Sequence, residues 1–260
     1  MKLAITGAAG RMGRRLIALA KSGGFEIVAA MERPDHPDQS RDAGELAGIG
    51  AIGLPITFDL RPTPNVLIDF TAPASMRHWL KTCRDRKIPM VIGTTGLTEK
   101  DHATIDMASA DIPILQAPNM SLGVNLLMKL VADVANRLGD DYDIEIVEGH
   151  HRFKKDAPSG TALGLADAIL AATNKKRDAL VHGRHGEEVP RSPGQIGMHS
   201  LRLGDEIGKH TVYFASVGER LELGHTATNR DTFVHGALRA AKWLATQKPG
   251  RYSIADVLGL

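Results

Sequence analysis

The run Lys2-Leu3-Ala4-Ile5-Thr6-Gly7-Ala8-Ala9-Gly10-Arg11-Met12-Gly13 decides the fold. Residues 2–6 read as a short buried strand. Beyond the glycines, Leu16, Ile17 and Leu19 follow helical spacing as far as Lys21. Strand, glycine-rich turn and helix in that order open a dinucleotide-binding fold: the glycines permit a tight turn, the approach of a pyrophosphate, and close helix–strand packing. The spacing is G-x-x-G-x-x-G rather than the commoner G-x-G-x-x-G, and such turns also occur as plain structure. The next strand-like run, residues 25–31, decides between these readings. It ends in Glu32-Arg33, about 20 residues past the glycines, where an acidic side chain meets the adenosine ribose. Arg33 suits a 2′-phosphate instead, so NADH and NADPH both fit the pair.

Working outward, residues 34–62 are rich in Pro, Gly and Asp and predict loops with a short strand near Ile56. Alternation then resumes. Strands are expected at 66–71, 89–92 and 112–115, with helices over 74–86 and 98–109. The second strand ends in Gly93-Thr94-Thr95-Gly96 and the third in Gln116-Ala117-Pro118-Asn119-Met120. This pattern predicts an α/β protein with a Rossmann-type doubly wound parallel sheet. Each turn alone is an ordinary connection. Together, the turns at Thr71, Gly93 and Asn119 lie at strand carboxyl ends, where such sheets bind ligands.

A helix over 123–138 leads out, and residues 142–147 alternate as a half-exposed strand. That strand delivers Glu148-Gly149-His150-His151-Arg152-Phe153-Lys154-Lys155-Asp156-Ala157-Pro158-Ser159-Gly160-Thr161-Ala162. Leu163, Ala166, Ile169 and Leu170 mark a helix over 157–172, capped by Asp156 or Ser159, with Pro158 in its first turn. The N–H groups of Ser159, Gly160 and Thr161 are expected to point outward and, with the helix dipole, to form an anion site. His-His pairs are commonly just solvated, and Ser-Gly-Thr before a helix is commonly just a cap. Their adjacency points to a small-carboxylate site with acid catalysis at hand.

Residues 195–226 carry three β-like runs, two of them joined near Gly218 as a hairpin. With strand 142–147 they predict a smaller α+β domain with a mixed sheet and helices on one face. Its open face is expected to be an apolar patch buried by oligomerisation. A final helix over 232–246, capped by Asp231 or Thr232, returns to the first domain. Residues 1–121 and 230–260 are thus assigned to a dinucleotide-binding domain, and 122–229 to a substrate-binding and oligomerisation domain. Arg230 at the junction suits either a cleft cation or a surface ion pair. His182 and His185 have metal-like spacing without a carboxylate or thiol to join them, so no metal is expected.

Apolar content of 43% and charged content of 24% belong to an ordinary globular chain, and the net charge of +2 gives no reason to expect a nucleic-acid partner. The lone Cys83 cannot form an internal disulfide, no signal peptide is visible, and no apolar run approaches a membrane span. The expectation is a soluble cytoplasmic protein.

Over essentially its full length the chain resembles the dihydrodipicolinate reductase (4-hydroxy-tetrahydrodipicolinate reductase) family of lysine and diaminopimelate biosynthesis. The most specific match is Glu148-Gly149-His150-His151 with Lys154 and the Asp156–Ala162 run. Gly7 to Gly13, Glu32-Arg33, Gly93 to Gly96 and Ala117 to Ser121 match the cofactor segments in order. The resemblance implies NADH and/or NADPH held by Gly7, Ala8, Ala9, Gly10, Arg11, Met12, Glu32, Arg33, Gly93, Thr94, Thr95, Ala117, Pro118, Asn119 and Met120. It implies His150 and Lys154 as catalytic acids, and His151, Ser159, Gly160 and Thr161 as contacts to a small dicarboxylate. It also implies a homotetramer built on the smaller domain's sheet; domain closure over the bound cofactor is expected because the two ligand loops lie on different domains. Some members carry Arg where this chain has Ala72, which removes one phosphate contact, and the stiff Pro34-Asp35-His36-Pro37 turn argues against a preference for NADPH. Two rivals differ in the second stretch. Another two-domain nicotinamide dehydrogenase of an amino or hydroxy acid has no use for the His-His-Lys segment, and a non-catalytic NAD(P) sensor would lose His150 or Lys154.

Overall fold

A computed structural model describes residues 1–260. The chain opens with β1 (Lys2–Thr6), α1 (Arg11–Ser22), β2 (Glu26–Met31), α2 (Ala43–Leu46), β3 (Ile56–Thr57), β4 (Val66–Asp69), α3 (Pro73–Arg86), β5 (Met90–Ile92), α4 (Glu99–Ser109) and β6 (Pro113–Gln116). It continues through α5 (Leu122–Leu138), β7 (Asp143–His150), α6 (Gly160–Ala172), β8 (Leu180–His182), β9 (Ile196–Arg202), β10 (Gly208–Ser216) and β11 (Glu219–Ala227). It closes with α7 (Asp231–Leu244), β12 (Gly250–Tyr252) and α8 (Ile254–Leu258). Two compact units result: Met1–Leu122 with Asp231–Leu260, and Gly123–Arg230.

The first unit holds a seven-stranded parallel sheet in the order β12-β6-β5-β4-β1-β2-β3. Its strands are buried on both faces, so adjacent residues enter different cores. Leu3, Ile5, Val66, Ile68 and Val91 pack with α1, α7 and α8 on one side. Ala4, Leu67, Met90, Ile92 and Ile114 pack with α3 and α4 on the other. The sheet is doubly wound, as the alternation predicts. Helix ends follow local chemistry. Thr98 and Asp101 form a reciprocal capping box on α4, and Arg77 reinforces it at 2.5 Å from Asp101. The 34–62 region contains a short helix, α2, that the sequence reading did not anticipate. Asp42 organises it by accepting backbone N–H bonds from Gly44, Glu45, Ile52, Gly53 and Leu54. β12 and α8 were also unanticipated.

The second unit holds a five-stranded mixed sheet, β11-β10-β7-β9-β8. β10 and β11 form the expected hairpin, β7 runs antiparallel to β10, and β9 and β8 extend the sheet in parallel. One face carries Ile144, Ile146, Ile196, Met198, Val212 and the fully buried Phe214 against α5 and α6. The other face departs from expectation. It presents Val147, Tyr213 and Leu201 beside a charged cluster in which Glu145 pairs with Arg184 (2.8 Å), His199 (2.7 Å) and Arg191. That face is mixed rather than an apolar patch, because its positions on β7, β9 and β10 carry Glu145 and His199 as well as Val147, Leu201 and Tyr213. No helix of the chain is long and apolar enough to cross a membrane.

Candidate active site

In the first unit, Gly7 adopts φ +66°, a conformation that favours glycine, and places its carbonyl where a Cβ on Gly13 would come within 2.1 Å. The α1 N-terminus has no side-chain cap, and Gly10 stands exposed at its N-cap. Free N–H groups, a positive helix end and a missing Cβ make a cradle that fits a pyrophosphate. Glu32 is tied to the same turn, accepting from the N–H of Ala9 (3.4 Å) and of Arg33 (3.1 Å). Arg33 leans away and pairs with Asp35 at 2.8 Å, both exposed.

Gly7, Gly10, Glu32 and Arg33 line a cavity of about 550 Å³ with Phe58, Phe70, Thr71, His78 and Trp79. Phe58 stacks on His78 at 5.3 Å, and Trp79 meets His78 edge-on at 4.9 Å and Phe58 at a tilt at 6.0 Å. Met12, Pro118, Asn119 and Met120 line a second cavity, of about 220 Å³, with Phe70 and Phe233 of α7. The remaining expected contacts divide. Arg11 and Thr95 are exposed, whereas Ala8, Ala9, Gly93, Thr94 and Ala117 are buried behind the turns. Thr94 turns its hydroxyl inward, to the Asp69 carboxylate and the N–H of Thr71 (3.0 Å). Asp69 also accepts from Thr6 (2.6 Å) and Thr71 (2.7 Å). Burial pushes the Asp69 carboxyl up, against the opposing effect of these hydroxyls. Sequence reasoning missed the aromatic residues: Phe58 falls in the patternless 34–62 segment, and His78 with Trp79 read only as part of the 74–86 helix.

In the second unit, the expected loop begins later than the sequence implied. β7 runs through His150, which is 8% exposed. Its Nδ1 lies 2.5 Å from Oε2 of Glu148. Burial alone would raise the Glu148 carboxyl. Hydrogen bonds from Ser200, His150 and Arg202 outweigh it and hold the group below its usual range. Lys154 is mostly buried and donates to Asp156 at 2.9 Å. That bond is the first cause of the lowered Asp156 carboxyl. The Nδ1 of His151 is buried without a partner.

Ser159, rather than Asp156, caps α6, accepting from the N–H of Ala162 at 3.1 Å, and Pro158 stands ahead of the cap instead of in the first turn. Nor does the N–H of Ser159 point outward as expected; it donates to Glu148 at 3.2 Å. Gly160 is exposed, with nothing near the position of a Cβ, so a ligand can approach its backbone. Three residues absent from the sequence reading complete the cluster. Arg202 reaches both Glu148 oxygens at 3.2 Å and the carbonyl of Asp156 at 2.6 Å. His210 contacts Ser159 Oγ at 3.1 Å and meets His150 edge-on, and Gly208 packs beside His150. Arg230 forms no ion pair in the structure and is exposed.

A dinucleotide cradle on one unit, and a histidine-lysine cluster at a helix N-terminus on the other, define a two-domain nicotinamide-dependent oxidoreductase. The model for the N-terminus of dihydrodipicolinate reductase matches residues 1–120, and that for its C-terminus matches residues 123–258. The chain belongs to the dihydrodipicolinate reductase family. A 4-hydroxy-tetrahydrodipicolinate reductase of Alkalilimnicola ehrlichii is 49% identical over 264 residues, spanning 100% of this chain and 99% of its own. One of Acinetobacter baumannii is 44% identical over 263 residues, spanning 100% and 96%. Among solved structures, a dipicolinate-bound dihydrodipicolinate reductase from Paenisporosarcina sp. TG-14 superposes with a TM-score of 0.78 at 25% identity, covering 97% of each chain.

Proposed function

We infer that the chain reduces 4-hydroxy-tetrahydrodipicolinate to tetrahydrodipicolinate with NADH or NADPH, in lysine and diaminopimelate biosynthesis. The observation that carries this is the tie of His150 through Glu148 to Ser159, the cap of α6, with His151 and Lys154 in the intervening loop. In balance, the hydroxylated substrate loses water, then gains one hydride and one proton. The reduced nicotinamide supplies the hydride, to the ring carbon that bore the hydroxyl. Gly7, Gly10, Glu32 and the aromatic lining of the larger cavity would hold the nucleotide end, and Met12 with the residue 118–120 turn the remainder.

The protein's own groups bind, neutralise and protonate. The first-turn amides at Gly160 and Thr161, the unpartnered ring nitrogen of His151, and the Lys154 ammonium neutralise the two carboxylates. His150 is the proton donor to the adjacent enamine-like carbon, with Lys154 as the second acid; a histidine suits the role because it exchanges protons near neutral pH. Ser159 contributes by holding the helix end rather than by touching substrate, since its N–H and hydroxyl are both engaged within the protein. Dual cofactor use follows from Glu32 and Arg33 together, with Arg33 reaching a 2′-phosphate only by leaving Asp35. We further propose a cytoplasmic homotetramer assembled through the mixed face of the smaller sheet, which light scattering would test.

The direct check is isotopic. Reduced dinucleotide deuterated at the transferring position should deliver its label to the product ring. Product formed without the label would contradict the proposal.

A further inference from the structure

Behind His150 the second unit builds a closed ring of four side chains. Glu148, 1% exposed, accepts from His150 Nδ1 with one oxygen and from the Ser159 N–H with the other, while Arg202 spans both. Ser159 Oγ takes the Ala162 N–H and contacts Nε2 of His210. His210 closes the ring by packing edge-on against His150, at a centroid separation of 5.2 Å and an interplanar angle of 76°. Cross-strand register produces this grouping: Glu148 lies opposite His210 on β10 and opposite Ser200 on β9, and His150 lies opposite Arg202. A Cβ on Gly208 would approach His150 Nε2 to 3.2 Å, so the glycine keeps that nitrogen uncrowded. The Nδ1 of His210 is buried with no partner, an arrangement that a purely structural core residue avoids.

We propose that Glu148 and His210 are positioning residues for the reduction, joining His150 and the first turn of α6 into one rigid piece. The proton donor and the carboxylate-binding amides then keep a fixed separation, which a reaction at a ring between two carboxylates requires. This rests on the reading of His150 as proton donor. Glu148 holds the proton on Nδ1, so Nε2 carries the proton given to carbon and regains it from water. The charged or titratable groups around His150 are Glu148 on its own strand, Arg202 on β9, His210 on β10, and Lys154 with Asp156 in the following loop. His225 on β11 lies beyond His210. Burial, then the charge of His150, lowers His210 to about 4, so it packs there as a neutral ring and does not repel a protonated neighbour.

The test uses the full chain with Glu148→Gln, His210→Phe and His150→Gln. A glutamine at position 148 has one acceptor oxygen and cannot serve His150, Ser159 and Arg202 together. Its kcat should fall roughly tenfold to a hundredfold, inside the about 10²–10⁴-fold that a positioned acid contributes, with KM for the dinucleotide unchanged. His210→Phe keeps the edge contact but loses Ser159, and should lower kcat/KM for the substrate about tenfold through the loosened helix end. Nitrogen NMR of the wild type, at a pH where the ring is neutral, should find the His150 proton on Nδ1; in Glu148→Gln the two tautomers should mix. Wild-type kcat in folded Glu148→Gln, or an Nε2-protonated His150 in the wild type, would overturn the proposal. The NMR result decides even if the variants fail to fold. Undiminished turnover in His150→Gln would instead remove the proton-donor reading beneath it.

Discussion

Two residues show how environment assigns a role to a common side chain. Arg33 is a free cation by sequence, yet it sits 2.8 Å from Asp35, and both groups are well exposed. Such pairs contribute about 0–1 kcal/mol. Asp35→Asn should therefore raise kcat/KM for NADPH over NADH by about two- to fivefold, the ratio that up to ~1 kcal/mol allows. An unchanged ratio would mean Arg33 never meets the phosphate. His210 is the second case. Its folded value of about 4 lies below the ordinary 6.5 because burial disfavours the cation, with the charge on His150 adding to it. Between those values the unfolded chain binds the extra proton, so stability rises with pH through that window and is lost as pH falls from about 6.5 to about 4. The loss is on the order of 3 kcal/mol at the acid end. Denaturant midpoints across that window, for wild type and His210→Phe, should show the slope in the first and its reduction in the second.

At the scale of elements, close approach decides which glycines matter. The cradle depends on α1 lying against the Gly7 carbonyl, where a Cβ on Gly13 would fall at 2.1 Å. Gly13→Ala should cost about 1–3 kcal/mol by overpacking and raise KM for the dinucleotide, while substrate binding at the second unit holds. Thermal melts and cofactor titration would read both effects. α7 makes a similar contact, with Gly236 against the Met120 carbonyl, which seats the residue 117–121 turn. Elements with strong periodicity and sharp ends were legible in the sequence: β1, α1, α3, α4, α5 and the β10–β11 hairpin all stand close to their expected bounds. α2, β8 and β12 were not, because each is three or four residues long and is fixed by partners elsewhere. Asp42 binding five backbone N–H groups is one such partner, invisible in a segment without periodicity.

For the whole molecule, the doubly wound sheet and the mixed sheet were legible because hydrophobic period and glycine placement are local properties. The candidate site was legible in its contiguous part, Glu148 to Thr161. His210, Arg202 and Gly208 were not, since only the pairing of β7 with β9 and β10 brings them beside His150. Sequence reading also placed the Ser159 N–H outward, whereas the buried Glu148 carboxylate takes it. We propose that the dinucleotide cradle of one unit and the proton-donating cluster of the other serve one reduction. The decisive assay follows the loss of reduced-nicotinamide absorbance with freshly synthesised 4-hydroxy-tetrahydrodipicolinate, comparing the wild type with His150→Gln, Lys154→Gln and the double variant. Turnover by the wild type is expected with both cofactors, and a loss of about 10²–10⁴-fold in kcat for His150→Gln. The double variant should be lower still, with cofactor binding intact in every case. A double variant that turns over at the wild-type rate, or a wild type that binds cofactor but reduces nothing, would contradict it.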